Sequence, residues 1–139
     1  MRRWGGSLAW LTLVMLAVGC GSAEIQPGTI VPVMDVRSLA GKWVGTLIDA
    51  RNMGTPMEMI IGKEGTYSAR FGATRADGTV AMRDGQLEFT MTQGTGLLGP
   101  AEAASTAVLY DRGGQRVLVG NGRWGFRERP FSWEVTEQR

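Results

Sequence analysis

Histidine is absent from this chain, and cysteine occurs once, at Cys20. The absence of histidine excludes the commonest general base, Ser-His and Cys-His nucleophile pairs, and most zinc sites. A single thiol also excludes an intramolecular disulfide, so the fold must be held by the burial of apolar side chains. We therefore expect a protein that is not an enzyme and that uses no metal and no cofactor.

An excess of positive charge is lacking as well. The chain has 15 basic and 13 acidic residues, and Arg2 and Arg3 belong to an N-terminal segment with the features of an export signal. Without that segment, 13 basic residues balance 13 acidic ones. Nucleic-acid-binding domains usually present a basic patch or stripe. Nucleic acid is therefore not an expected partner.

The N-terminus has the three parts of a secretory signal. Arg2 and Arg3 supply positive charge, an apolar run extends over residues 8–18, and small residues follow. The run is too short for a transmembrane helix, which needs ~20 apolar residues. Residues 1–19 are therefore predicted to be a signal peptide.

The string Leu16-Ala17-Val18-Gly19-Cys20 resembles the lipobox of bacterial lipoproteins. This resemblance implies cleavage before Cys20, acylation of Cys20 with chains such as palmitate, and attachment to a membrane. Gly21 and Ser22 follow, without the aspartate that commonly retains enterobacterial lipoproteins in the inner membrane. The implied location is the bacterial cell envelope, at the outer membrane and facing the periplasm. The alternative is ordinary secretion, with cleavage at a neighbouring small residue.

Residues 20–40 are predicted to form the lipidated N-terminus and a tether. This stretch contains Pro27 and Pro32 and shows no clear periodicity. Residues 30–34 are nevertheless more apolar than a linker requires, so we expect an additional edge strand there.

From Gly41 onward, apolar and polar residues alternate as they do in strands with one buried face. The clearest strands are predicted at 66–71, 79–83, 86–92, 123–127 and 131–136, and less regular ones at 42–49, 57–62, 105–111 and 115–120. Turns are predicted at the glycine-containing positions 63–65, 77–78, 84–85, 113–114 and 121–122. Residues 41–139 are therefore predicted to form an all-β domain, an antiparallel up-and-down meander of about eight strands that closes into a small barrel. An open half-barrel or a sandwich is the alternative.

Gly41 and Trp43, at the head of this meander, resemble the Gly-x-Trp that opens lipocalin-like (calycin) barrels. The resemblance implies that Trp43 lies across the floor of the barrel. It also implies that a basic residue near the last strand packs against Trp43, for which Arg123, Arg127 and Arg129 are candidates. A barrel of this kind can hold a small apolar ligand.

The predicted apolar face is rich in methionine and aromatic residues. The side chains expected to contact a small apolar ligand are Trp43, Met57, Met59, Tyr67, Phe89 and Trp133. Methionine suits an adaptable pocket, but it suits an ordinary core equally well, and small barrels are commonly filled by side chains. Ligand pockets typically measure ~300–1,000 Å³. A cavity of that size would favour a ligand carrier, and a filled interior would favour a structural module or one that docks an envelope protein.

Two further motifs have simple interpretations. Residues 94–99 match Gly-x-Gly-x-x-Gly, but the βαβ unit that binds dinucleotides is missing around them. We expect a loop at the barrel rim, with Leu97 and Leu98 as a lid, a partner contact or a core plug. The carboxylates of Glu58, Glu88 and Glu134 fall on the polar face of their strands, which favours a solvated surface over a catalytic pair.

Overall fold

The structure, a computed structural model, describes residues 28–95, 103–125 and 127–139. Within these residues the chain forms nine strands: β1 (Thr29–Ile30), β2 (Gly41–Ile48), β3 (Gly54–Ile61), β4 (Thr66–Phe71), β5 (Thr74–Arg83), β6 (Gln86–Thr95), β7 (Ala103–Arg112), β8 (Gln115–Trp124) and β9 (Arg129–Gln138). A 3₁₀ helix, Val36–Leu39, precedes β2. No helix in these ranges is long and apolar enough to cross a membrane. The predicted signal peptide, Cys20, Leu97 and Leu98 lie outside the described residues.

Strands β2 to β9 form a closed antiparallel barrel. Each strand pairs with the next along the chain, and β2 also pairs with β9, from Lys42 opposite Gln138 to Ile48 opposite Ser132. The all-β class and the up-and-down barrel are therefore confirmed, in preference to an open half-barrel or a sandwich. In an open meander β2 and β9 would be edge strands, and closure pairs their free edges with each other.

The ninth strand, β1, pairs with the end of β7, beyond the residues of β7 that pair with β6. Thr29 and Ile30 lie opposite Asp111 and Tyr110 of β7, and the Val31 amide donates to the Leu109 carbonyl at 2.8 Å. The additional edge strand predicted for this part of the chain thus forms at Thr29–Ile30. It brings the chain into the barrel at the end where the 3₁₀ helix lies, which we call the closed end.

Alternation along the strands places apolar side chains inside and polar ones outside. The most deeply buried side chains, each at most 2% exposed, include Leu39, Trp43, Met59, Ile61, Leu118 and Val135. One apolar residue departs from the prediction: Met82 belongs to the apolar pattern but is 37% exposed, because it lies at the end of β5 beyond the packed interior. The buried apolar side chains form a hydrophobic cluster that runs through the barrel.

Three of the predicted turns are confirmed, at 63–65, 84–85 and 113–114. Asp84 and Gly85 illustrate the reason, since both have positive φ, 51° and 78°, as the tight turns of β-hairpins require. The turn that joins β8 to β9 lies at Gly125–Glu128, so the strand predicted at 123–127 is wrong. Its first two residues end β8. Its Phe126 lies outside the described residues.

The other two predicted turns are wrong. Asp77-Gly78 lies inside β5, at a register irregularity opposite β6, and Asn121-Gly122 lies inside β8. Gly78 and Gly122 occur there because a β-carbon would collide with a neighbouring strand, at the carbonyls of Thr90 and Ala104 respectively. In this barrel, these glycines allow close approach between strands rather than chain reversal.

Gly45 has the same role at the seam that closes the barrel. It lies in β2 opposite Val135 of β9, and a β-carbon at this position would collide with the backbone carbonyl of Glu134. Backbone atoms cannot move aside as the end of a flexible side chain can. Gly45→Ala is therefore expected to lower the free energy of unfolding by about 3 kcal/mol, at the upper end of overpacking costs.

Gly54→Ala is the matched control for this prediction. Gly54 lies on the neighbouring strand, and its added β-carbon would meet only the Thr46 methyl group, at 3.2 Å. Chemical denaturation should show a loss well under about 1 kcal/mol for this control. Equal losses for the two variants would mean that the β2–β9 seam is looser than the structure has it.

Candidate functional site in the barrel interior

The described residues form an apolar space inside the barrel, above Trp43. Its volume is about 50 Å³. The side chains around it come from every strand of the barrel and are almost all apolar: Leu47, Met57, Met59, Tyr67, Ala69, Phe71, Ala76, Phe89, Met91, Ala103, Ala104, Ser105, Trp124, Phe131 and Trp133. Period-two alternation explains this composition, because it turns the apolar side chains of each strand inward.

Five of the six predicted ligand contacts line this space together. They are Met57, Met59, Tyr67, Phe89 and Trp133. The sixth, Trp43, does not line the cavity. It lies beneath it, opposite Met59 in the β2–β3 ladder, and is completely buried.

Trp43 forms the floor of the barrel at the closed end. Its indole Nε1 donates to the Leu39 carbonyl of the 3₁₀ helix at 2.9 Å, which ties the floor to the segment that covers it. The guanidinium of Arg116 lies over the indole ring, 5.5 Å from the ring centroid, within the range of a cation–π contact. Arg116 also donates to the Ser38 carbonyl at 2.8 Å and pairs with Glu137 at 3.3 Å.

Arg116 therefore occupies the position for which Arg123, Arg127 and Arg129 were predicted. Those three lie at the opposite end of the barrel from Trp43, at the end of β8, in the following turn and at the start of β9, so the prediction is wrong. The sequence did contain a signal for Arg116. Arg116 is two residues before Leu118 and eight before Trp124, so it lies on the same, inward-facing side of β8. A charged residue on that side needs a partner.

The wall of the cavity is built around a chain of aromatic rings. Tyr67 packs edge-to-face on Phe89 at 5.3 Å, and Phe89 packs edge-to-face on Trp133 at 5.1 Å. The Trp133 indole Nε1 donates to Ser105 Oγ at 3.2 Å, so its polar atom is satisfied within the wall. Gly120 faces the Trp133 ring across the β8–β9 ladder and leaves it room, because a β-carbon there would collide with the indole.

Tyr67 is not a general base at ordinary pH. Burial, and to a smaller extent the negative charge of Asp77, raise the pKa of its phenol to about 12. The hydroxyl is therefore neutral inside the barrel. Because the folded state holds this proton more tightly than the unfolded chain, this contribution to stability is present below about pH 10 and is lost as the pH rises toward 12.

A second group of aromatic rings lies at the end of the barrel away from Trp43, which we call the far end. Trp124 stacks on Phe131 with ring centroids 4.9 Å apart, and on Phe71 with centroids 6.3 Å apart. The three nearly parallel rings come from β8, β9 and β4. We call them the far-end stack. Trp124 and Phe131 are half-buried there, whereas Phe71 is buried.

Chemically reactive groups do not converge on this interior. Among the described residues, no three Asp, Glu, Cys or His side chains lie close enough together to hold a metal ion. The carboxylates of Glu58, Glu88 and Glu134 lie on the outer face, as predicted, in ion pairs with Lys42, Arg83 and Arg112. The described side chains that line this space can enclose a small apolar group.

Comparison with known proteins adds no relative: a scan against protein-family models, a search of curated proteins and a search of solved structures each found no match.

Proposed function

We propose that this chain is a lipid-anchored protein of the bacterial cell envelope, at the outer membrane and facing the periplasm. In this proposal its barrel is a non-catalytic structural or docking module with a filled core. The N-terminal signal and the lipobox-like string before Cys20 support the anchor. The paired carboxylates on the outer face and the lack of histidine support a role without catalysis.

The observation that carries the filled-core proposal is the volume of the interior. About 50 Å³ accommodates a few water-sized groups, since one water needs ~10–15 Å³ by this measure. Pockets that hold ordinary ligands measure ~300–1,000 Å³. The methionine and aromatic side chains predicted to contact a ligand all belong to the hydrophobic core cluster or, in the case of Tyr67, pack against it.

The floor of the barrel supports a likeness to lipocalin-like barrels at the level of local geometry. Trp43 is buried across the closed end, an arginine lies on its ring, and a 3₁₀ helix covers it. The buried tryptophan and the basic residue on its ring are features that the Gly41 and Trp43 resemblance implies, and the 3₁₀ helix is an additional observation. The likeness is one of architecture only. The small interior argues against the large ligand cavity that a carrier needs.

A small flat apolar ligand is the second candidate function, and the far-end stack favours it. Three near-parallel rings at the edge of an apolar cavity present faces on which a planar molecule can stack. Rotation of the half-buried Trp124 would enlarge the space beneath it. Such a ligand would be smaller than the lipids that ordinary carriers hold.

We predict that the mature domain does not bind an apolar fluorescent probe at a single saturable site. Met59→Trp should then overpack the interior and lower the free energy of unfolding by ~1–3 kcal/mol, because Met59 is 1% exposed and faces Trp43. Probe titration and chemical denaturation measure the two effects.

Met53→Trp is the matched control, because Met53 is a methionine that is 59% exposed. It should change the free energy of unfolding by no more than about 0.5 kcal/mol. Saturable probe binding that quenches Trp133, and that Met59→Trp weakens without loss of stability, would favour the ligand carrier over the filled module.

A further inference from the structure

The segment that leads into the barrel has two different sides. Val31, Val33 and Val36 are partly buried and pack against the barrel core. The apolar residues that alternate with Val31 and Val33 point away: Ile30 is 63% exposed, Pro32 is exposed, and Met34 is 90% exposed. We call Ile30, Pro32 and Met34 the apolar stripe.

The stripe lies at the closed end, where the chain arrives from its N-terminus. β1 pairs with the last residues of β7, and the 3₁₀ helix that follows the stripe covers Trp43. Met82, 37% exposed, lies at the same end of the barrel, at the end of β5. Single exposed apolar residues are common, but three successive outward positions on the segment nearest the anchor are a more specific pattern.

The length of chain before the described residues limits what this end can reach. Cys20 and Gly28 are eight residues apart, and at ~3.6 Å per residue they are separated by at most about 29 Å. A lipidated Cys20 therefore keeps Gly28, at the closed end, within about 29 Å of the bilayer. Tethering makes the encounter with the bilayer intramolecular, so that even a weak apolar contact is populated.

Resting on the lipid anchor proposed above, we propose that the closed end of the barrel lies on the bilayer surface, with the apolar stripe inserted at the lipid headgroups. The far-end stack then faces away from the membrane, into the periplasm.

Apolar contact, rather than attraction between charges, holds this end at the surface. Four arginines of the closed end are bonded to carboxylates, in the pairs Asp35–Arg37, Arg83–Glu88, Arg112–Glu134 and Arg116–Glu137, and a fifth, Arg139, donates to the Gly114 carbonyl. A surface of balanced charge gains little from anionic lipid. Docking should therefore differ little between phosphatidylcholine vesicles and vesicles that also contain phosphatidylglycerol.

The test uses the mature lipidated protein, beginning at Cys20 and reconstituted into phosphatidylcholine vesicles that carry a quencher in the acyl region. An environment-sensitive fluorophore is attached to Met34→Cys, or to Met53→Cys as the matched control in the loop after β2. Both positions are exposed methionines, at opposite ends of the barrel. We expect several-fold stronger quenching and a blue-shifted emission for the label at 34.

A second pair of variants separates docking from folding. The label is placed at Ile30→Cys, with and without Met34→Glu, and the charged residue should abolish most of the quenching at 30 while near-UV circular dichroism stays unchanged. Protein that co-floats with vesicles but shows no quenching at 34 or at 30 would overturn the docking inference alone. Equal quenching at 34 and 53 would overturn the upright orientation. Protein that fails to co-float would overturn the proposed anchor, and the docking inference with it.

Discussion

The lipid anchor proposed above predicts that Cys20→Ser abolishes attachment of the protein to the membrane. Serine cannot form the thioether that carries lipid on a lipobox cysteine, and it should block processing of the signal before residue 20. Each buried methylene of an acyl chain contributes ~0.8 kcal/mol, and two or more chains anchor a protein stably. The variant should therefore accumulate as uncleaved precursor or as soluble protein. Membrane fractionation and the mass of the mature N-terminus measure the effect.

Ser22→Ala is the control for this substitution, because it changes a small residue two positions away and leaves Cys20 in place. It should remain in the membrane fraction with an acylated N-terminus. A Cys20→Ser protein that is cleaved normally and still fractionates with membranes would contradict the lipobox interpretation and favour ordinary secretion. Density-gradient separation of the two membranes tests the outer-membrane location.

The strands were predictable from the sequence because their cause is local. Residues 86–92 alternate strictly, and β6 includes all of them, with Leu87, Phe89 and Met91 buried. Where a strand is covered on both faces the pattern weakens: Val117 and Leu118 are adjacent and both buried, and β8 was predicted too short. Closure of β2 onto β9 follows from the number of strands and their up-and-down order rather than from any one residue.

The glycines show where local reasoning fails. Asp84-Gly85 and Asp77-Gly78 are the same dipeptide, yet the first is a turn and the second lies within β5. The difference comes from contacts through space, since Gly78 lies under the Thr90 carbonyl and the Tyr67 ring. No window of sequence around residue 78 contains those neighbours.

The sequence predicted which residues line the interior, but it did not predict the volume of the space between them. Side-chain alternation brings Met57, Met59, Tyr67, Phe89 and Trp133 together, as predicted. Whether they leave an empty space depends on their rotamers and on residues such as Gly120, which lets the Trp133 ring lie across the interior. The basic residue on Trp43 was misplaced for a related reason: proximity to the last strand along the sequence did not show which end of the barrel each arginine occupies.

Trp43→Ala is expected to cost about 3–5 kcal/mol of the free energy of unfolding, as large-to-small aromatic substitutions in cores do. Trp43 is fully buried, and its removal leaves the Leu39 carbonyl without its indole donor and Arg116 without the ring beneath it. Loosening of the 3₁₀ helix should follow, because the indole is bonded to its last residue. Denaturant melts measure the loss, and hydrogen exchange at residues 36–40 measures the loosening.

Glu88→Ala is the control on the outer face of the barrel. Its carboxylate pairs with Arg83 at 3.4 Å, and the Arg83 side chain is 72% exposed, so solvent screens the pair. The loss should therefore be well under about 1 kcal/mol. Trp43→Phe adds a second comparison, because it keeps a ring under Arg116 but removes the hydrogen bond to Leu39, and it should fall between the other two variants. If Trp43→Ala and Glu88→Ala instead lower the free energy of unfolding by equally small amounts, Trp43 does not pack across the closed end of the barrel as described.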